Sequence, residues 1–180
     1  MKIAVIGAGG VGGYFGGRLA AAGHQVFFAV RGRQREAFRE QGLRLKSALG
    51  DLTLPDPLLL DNPETIGVCD AVLICTKLWG LEEALELVRP LVGDDTMVVP
   101  LQNGVDAESL AVERLGTGAV LGGVAYIAAE IEEPGVIRHT GKMARLALGE
   151  LDGRESPRLK ALVAACQAAQ VDVKLSTHIQ

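Results

Sequence analysis

The apolar run KIAVI (Lys2–Ile6) passes directly into GAGGVG (Gly7–Gly12) and then into a stretch with helical spacing. No other feature limits the fold so tightly, because GxGxxG at that junction asks for a buried strand, a tight turn and a helix in immediate succession. The first glycine permits the turn, the second lets the backbone approach a pyrophosphate, and the third brings the helix close to the strand. The helix N-terminus adds N–H donors and the positive end of a dipole. The junction therefore predicts a βαβ start carrying a dinucleotide site.

Gly13, Gly16 and Gly17 continue beyond what the fingerprint needs. Each glycine inside a helix costs roughly 0.8–1 kcal/mol relative to alanine, so their places call for a physical reason. Gly12 with Gly16, and Gly13 with Gly17, lie one turn apart and form a smooth strip that Ala20 extends. The strip lets the backbone come close to the sheet on one side, or to the cofactor and a second structural body on the other; close packing alone is the alternative reading. If that body is a domain outside these residues, the strip is expected to be partly bare.

Strand-length apolar runs then alternate with helical segments, which predicts a parallel sheet with right-handed crossovers. A helix is expected over 10–22, a strand over 25–30, a charged helix over 33–41 closed by Gly42, and an edge hairpin over 43–60, turning at Gly50-Asp51. Asn62 and Pro63 read as N-cap and first residue of a short helix. Strands are expected at 69–76 and 96–101, and helices at 80–92 and 106–115. After Leu115, three strand-like runs with turn glycines, a helix over 157–170 and a last strand follow. The fold class is α/β, a Rossmann-type doubly wound parallel sheet with extra strands after residue 115, and residues 1–180 are expected to form one domain.

Composition removes several classes of function. A net charge of −4 leaves no basic stripe for a phosphate backbone, so no nucleic-acid partner is expected. No run has the length of a membrane span, and the N-terminal apolar run is too short for a secretory signal, so a cytoplasmic protein without a membrane partner is expected. Cys69, Cys75 and Cys166 lack metal-ligand spacing and read as reduced structural thiols; no metal is expected. His24, His139 and His178 read as structural or solvated rather than catalytic.

Which dinucleotide is read at the end of the second strand. A site for NAD carries an Asp or Glu about 20 residues after the fingerprint, to accept a bond from the ribose 2′-hydroxyl. Here that place holds Arg31, whose guanidinium suits a 2′-phosphate, so NADPH is favoured. Ligands of open α/β sheets sit beyond the carboxyl ends of strands. That directs attention to TKLWG (Thr76–Gly80), with Lys77 in reach of cofactor phosphates, and to QNG (Gln102–Gly104), with Asn103 able to donate to and accept from a ribose or substrate oxygen.

Taken together, GxGxxG, Arg31, TK after the fourth strand, QNG after the fifth, GGVAYIAAEI and PGVIRHTG resemble ketopantoate reductase (2-dehydropantoate 2-reductase) along essentially the whole chain. The resemblance implies NADPH-dependent reduction of 2-dehydropantoate to (R)-pantoate on the route to pantothenate and coenzyme A. It implies cofactor contacts at Gly7, Ala8, Gly9, Gly10, Val11, Gly12, Arg31, Lys77, Asn103 and Ala128, with Asn103 also touching substrate. Reduction of a ketone needs a proton donor near the carbonyl oxygen. The resemblance places that donor on a lysine of a second, helical domain following a segment like STHIQ, so no catalytic residue is expected among these 180, and the chain alone is expected to bind NADPH weakly and turn over little.

The partner is then a small 2-oxo acid, and uncovered apolar surface is expected to favour self-association or a homodimer. Two alternatives stay open. One is an NADP-binding sensor or regulatory module without catalysis; the other is a related reductase of another 2-oxo acid or an opine-type dehydrogenase.

Overall fold

Lys2–Ile6 forms β1, buried from Ile3 onward, and this strand sits at the centre of a five-stranded parallel sheet. The structure, a computed structural model, describes residues 1–102 and 106–179. The elements in chain order are β1, α1 (Gly10–Ala21), β2 (Gln25–Ala29), α2 (Gly32–Gln41), β3 (Leu43–Ser47), β4 (Leu52–Leu54), β5 (Leu58–Leu59), α3 (Pro63–Ile66), β6 (Ala71–Ile74), α4 (Leu81–Val88), β7 (Met97–Pro100), α5 (Asp106–Leu115), β8 (Leu121–Glu133), β9 (Val136–Glu150), α6 (Pro157–Ala168) and β10 (Asp172–Leu175). The parallel sheet runs β5-β2-β1-β6-β7, with every pairing parallel. Its chain path reverses between β1 and β6, the place where doubly wound sheets open a ligand crevice. Asn62 caps α3 by accepting from Glu64 N–H, with Pro63 first in the helix, as its sequence predicts.

The hairpin expected on the edge of this sheet is only partly there. Two residues, Leu58–Leu59, pair with β2. β3 and β4 pair with each other and join a second sheet, in which β3 and β10 lie parallel along one edge of β9 and β8 lies antiparallel along the other. The reason lies in Leu43 and Leu45. Their side chains are buried against α1 rather than in the plane of the parallel sheet. The stretches GVIRHTG and ARLALGEL, read as two strands, are one strand, β9. Gly141, at φ +83°, begins a bulge at which the pairing with β8 jumps from Thr140 to Ala144. His139 pins that bulge, with Nε2 3.0 Å from the Met143 carbonyl and Nδ1 2.8 Å from the Ser47 hydroxyl, a structural role.

The second sheet explains the glycine strip. Helix α1 lies between the two sheets, with no residue from Gly12 to Leu19 reaching solvent appreciably. A Cβ on Gly16 would come within 2.6 Å of the Phe28 ring and 2.9 Å of Val5 on the parallel-sheet side. A Cβ on Gly13 would come within 2.8 Å of Ile137, and one on Gly17 within 3.1 Å of Leu43 and Leu45, on the other side. The strip is therefore not bare. The second body is the β3–β4–β9 part of this same chain, and two close packings, not one, are what the glycines make room for.

The layers that result are α4 and α5, the parallel sheet, α1 with α2 and α6, and the second sheet. One core, including Ile74, Leu85, Val88 and Val98, fills the α4–α5 side; a larger one, including Phe15, Phe28, Leu43, Ile137 and Leu162, fills the space between the sheets. Ser176–Ile179 then crosses the second sheet over Gly122 and Gly149, where a Cβ would come within 2.3 Å of the Ile179 side chain and of the Ser176 carbonyl respectively.

Candidate functional site

At the carboxyl ends of β1, β2 and β6 the structure opens a cleft of about 680 Å³. Gly7, Ala8 and Gly9 form its floor, Arg31 comes from the end of β2, and Lys77 and Trp79 come from the turn after β6. The fingerprint, the β2 arginine and the TK pair, separate in sequence, thus face one space. Gly7 takes φ +92°, and a Cβ there would lie 2.9 Å from the Thr76 nitrogen, so both conformation and space require glycine. Helix α1 begins behind this floor with no acidic residue in its first turn, which leaves the positive end of its dipole open to an anion.

Gly10, Val11 and Gly12 lie behind the cleft and do not line it. Gly10 sits under the backbone of β8, where a Cβ would come within 2.1 Å of the Ala129 carbonyl, and Gly12 packs against Gly7, Val5 and Cys75. Ala128 is exposed, turned outward by the in-and-out alternation of Tyr126 to Glu130, and Ile131, three residues on, is the β8 residue that reaches the cleft. Asn103 and Gly104 lie outside the described residues. Gln102, just before them, donates from Nε2 to the carbonyls of Ile74 (3.2 Å) and Thr76 (3.1 Å), tying the end of β7 to the β6 turn that carries Lys77.

Three polar residues of the cleft carry no motif. Gln34 donates to the Ala8 carbonyl (3.3 Å) and accepts from Gly135 N–H (3.0 Å), so it braces the glycine turn against the β8–β9 hairpin. Asp61 pairs with Arg35 and, at 3.3 Å, with Arg39. Glu83, in the first turn of α4, binds Arg31 through both guanidinium arms, Nη1 to Oε2 at 3.1 Å and Nη2 to Oε1 at 2.6 Å. Hydrogen bonding and the guanidinium charge hold the Glu83 carboxyl below its ordinary pKa and push Arg31 above its own, so both stay charged.

The cysteines are free thiols. Burial pushes Cys75, behind the glycine turn, and Cys166 up to about 12. Neither is a thiolate at neutral pH, which fits the structural reading. A second cavity of about 900 Å³ lies between Gln102, the start of β8 and the C-terminal segment, with Tyr126, Arg145 and His178 on its walls.

The residues present fit a dinucleotide: a glycine floor that a Cβ would fill, an anion-favouring helix end, the cations Arg31, Arg35 and Lys77, and an apolar wall that includes Leu60 and Leu87. Comparison with known proteins agrees. Residues 3–153 match the family model described as ketopantoate reductase PanE/ApbA. The chain is 34% identical over 180 residues to the uncharacterized oxidoreductase YkpB of Bacillus subtilis, covering all of this chain and 59% of that protein. It is 35% identical over 184 residues to the 2-dehydropantoate 2-reductase of Mesorhizobium japonicum, covering 90% of this chain and 56% of that protein.

Among solved structures, the 2-dehydropantoate 2-reductase of Geobacter metallireducens superimposes with a TM-score of 0.91 at 37% identity, covering 98% of this chain and 58% of that one. A D-mandelate dehydrogenase solved with NADH and anilino(oxo)acetate superimposes with a TM-score of 0.87 at 25% identity, covering 99% of this chain and 58% of that one. The chain thus spans somewhat more than half the length of the proteins it matches.

Proposed function

The chain belongs to the ketopantoate reductase PanE/ApbA family, and from that premise we propose that it supplies the NADPH-binding half of an enzyme that reduces 2-dehydropantoate to (R)-pantoate for pantothenate and coenzyme A synthesis. The observation that carries this reading is the convergence of the glycine turn, Arg31 and Lys77 on one cleft at the carboxyl ends of the parallel strands. In this reading the Gly9 backbone and the α1 N-terminus receive the pyrophosphate, Arg31 receives the 2′-phosphate, and Lys77 adds charge beside the phosphates. Asn103, outside the described residues, serves cofactor and substrate. When bound, the nicotinamide supplies the hydride; the chain's own residues fix where the nucleotide lies. We assign the proton donor, as the family resemblance implies, to a lysine of a helical domain outside these 180 residues; the chain spans 56–59% of its curated relatives, and Lys77, which lines the cleft, is given to the cofactor phosphates.

Trp79, the chain's single tryptophan, stands 87% exposed on the cleft rim, so it reports binding directly. Titration with NADPH is expected to quench its emission and to sensitise dihydronicotinamide fluorescence, with NADH binding at least about tenfold more weakly, 1.4 kcal/mol. Equal affinity for NADH would refute the NADPH assignment. Conversion of 2-dehydropantoate by the protein carrying its helical domain tests the substrate.

A second reading, reduction of a different 2-oxo acid, is favoured by the likeness to a D-mandelate dehydrogenase and by the 34% identity to an oxidoreductase whose activity is uncharacterized. Substrate profiling separates the two. A cytoplasmic location belongs to the same proposal; among the described residues no helix is long and apolar enough to cross a membrane. Leu78, Trp79, Tyr126 and Ile131 are large apolar side chains left exposed around the two cavities. They support self-association of this chain, expected as a concentration-dependent rise in mass by light scattering; a constant monomer mass would contradict it.

A further inference from the structure

We infer that Glu83 sets how strongly the cleft prefers a nucleotide bearing a 2′-phosphate, by holding both arms of Arg31 in competition with that phosphate. The inference rests on the reading that Arg31 faces the ribose 2′-position. Nη1 and Nη2 of Arg31 both donate to Glu83, which occupies the end-on edge of the guanidinium and leaves a ligand only the Nε side, with the carboxylate close beside it. The two residues come from opposite walls, the end of β2 and the first turn of α4, so the pair spans the cleft.

Its exposure makes the pair exchangeable rather than structural. Its side chains are 76% and 66% exposed, so no packing holds the carboxylate in place. Exposed pairs of this kind are weak. Arg35, the other arginine lining the cleft, is itself held by Asp61, so Arg31 is not relieved of the competition by its neighbour.

The chemistry then has a sign. A 2′-phosphate must either take the end-on edge of Arg31 from Glu83 or share the guanidinium with it, and in both cases it lies beside a carboxylate of like charge, which weakens it. A 2′-hydroxyl makes no such demand and can donate to the Glu83 carboxylate. Arg31 therefore creates the preference for NADPH and Glu83 narrows it.

The test measures affinity, not turnover. Titration of 2′,5′-ADP, 5′-AMP, NADPH and NADH into the 180-residue chain is compared for wild type, Glu83→Gln and Arg31→Ala, with circular dichroism to confirm folding and Glu83→Ala as a second variant carrying the same expectation. Glu83→Gln is expected to tighten 2′,5′-ADP and NADPH by roughly three- to tenfold while 5′-AMP and NADH stay within about twofold. In an Arg31→Ala background the gain is expected to vanish. If Arg31→Ala weakens 2′,5′-ADP relative to 5′-AMP but neither Glu83 variant changes that ratio, the role of Glu83 is overturned and the reading of Arg31 survives. If Arg31→Ala leaves the ratio untouched, both fall.

Discussion

Gly9→Ala is expected to weaken NADPH binding by roughly 10- to 100-fold, about 1.4–2.8 kcal/mol, with Tm unchanged to within about 2 °C. Gly9 lies in the cleft floor, and a Cβ there would meet nothing within 4 Å. The added methyl therefore intrudes only on the ligand's space. Gly12→Ala is expected to differ in kind. Its Cβ would come within 2.3 Å of the Gly7 carbonyl, 2.9 Å of Val5 and 3.0 Å of the Cys75 Cβ. Alanine's helix propensity returns about 0.8–1 kcal/mol, against an overpacking loss of about 1–3 kcal/mol. Because the nearest atom is backbone and belongs to the glycine turn itself, the loss wins and the turn shifts with it. Gly12→Ala should lower both Tm and NADPH affinity, which paired thermal melts and fluorescence titrations separate from the Gly9 effect. If Gly9→Ala bound NADPH like wild type, the backbone approach assigned to that residue would be wrong.

The same contact geometry shows what the sequence could and could not disclose. The parallel sheet was legible because strands buried on both faces, such as Lys2–Ile6 and Ala71–Ile74, appear as unbroken apolar runs. The second sheet was not. Alternation in Leu43–Ser47 says that one face is buried but not against which body, and that body turned out to be α1. Gly141 reads as a turn glycine by composition, and only the pairing on both sides of it shows a bulge within one strand.

At the cleft, Arg31 and Lys77 were legible because position at a strand's carboxyl end marks them out. Glu83 and Gln34 were not, since polar residues on helices of this kind ordinarily face solvent. Their partners lie 52 and 101 residues away in sequence. Signals of that range belong to topology, which no local spacing contains.

Arg158→Ala is expected to destabilise the chain by roughly 3–5 kcal/mol, the usual consequence of leaving one member of a buried pair alone. Tm should fall by roughly 6–20 °C. Arg158 Nε and Nη2 donate to the two oxygens of Glu150 at 2.9 and 2.8 Å, and Nη1 donates to the Gly118 carbonyl at 2.6 Å. Ser156 caps α6 by accepting from Leu159 N–H and also donates to Glu150, so the network joins the end of β9, the start of α6 and the loop before β8. Only 4% of the Glu150 side chain and 15% of Arg158 are exposed.

Burial alone would raise the Glu150 pKa; hydrogen bonds from Arg158 and Ser156, with the guanidinium charge, outweigh it and leave the carboxyl below its ordinary value. The wild-type contribution is therefore present above the unfolded pKa of about 4.3 and is lost as pH falls through the lower folded value. In Arg158→Ala the guanidinium is gone and burial remains, so protonation of Glu150 relieves the variant. Denaturant melts at pH 7 and pH 4 should show the gap between the two proteins narrowing on acidification; a gap that stayed constant or widened would mean that Arg158 stabilises by packing rather than by holding the Glu150 charge.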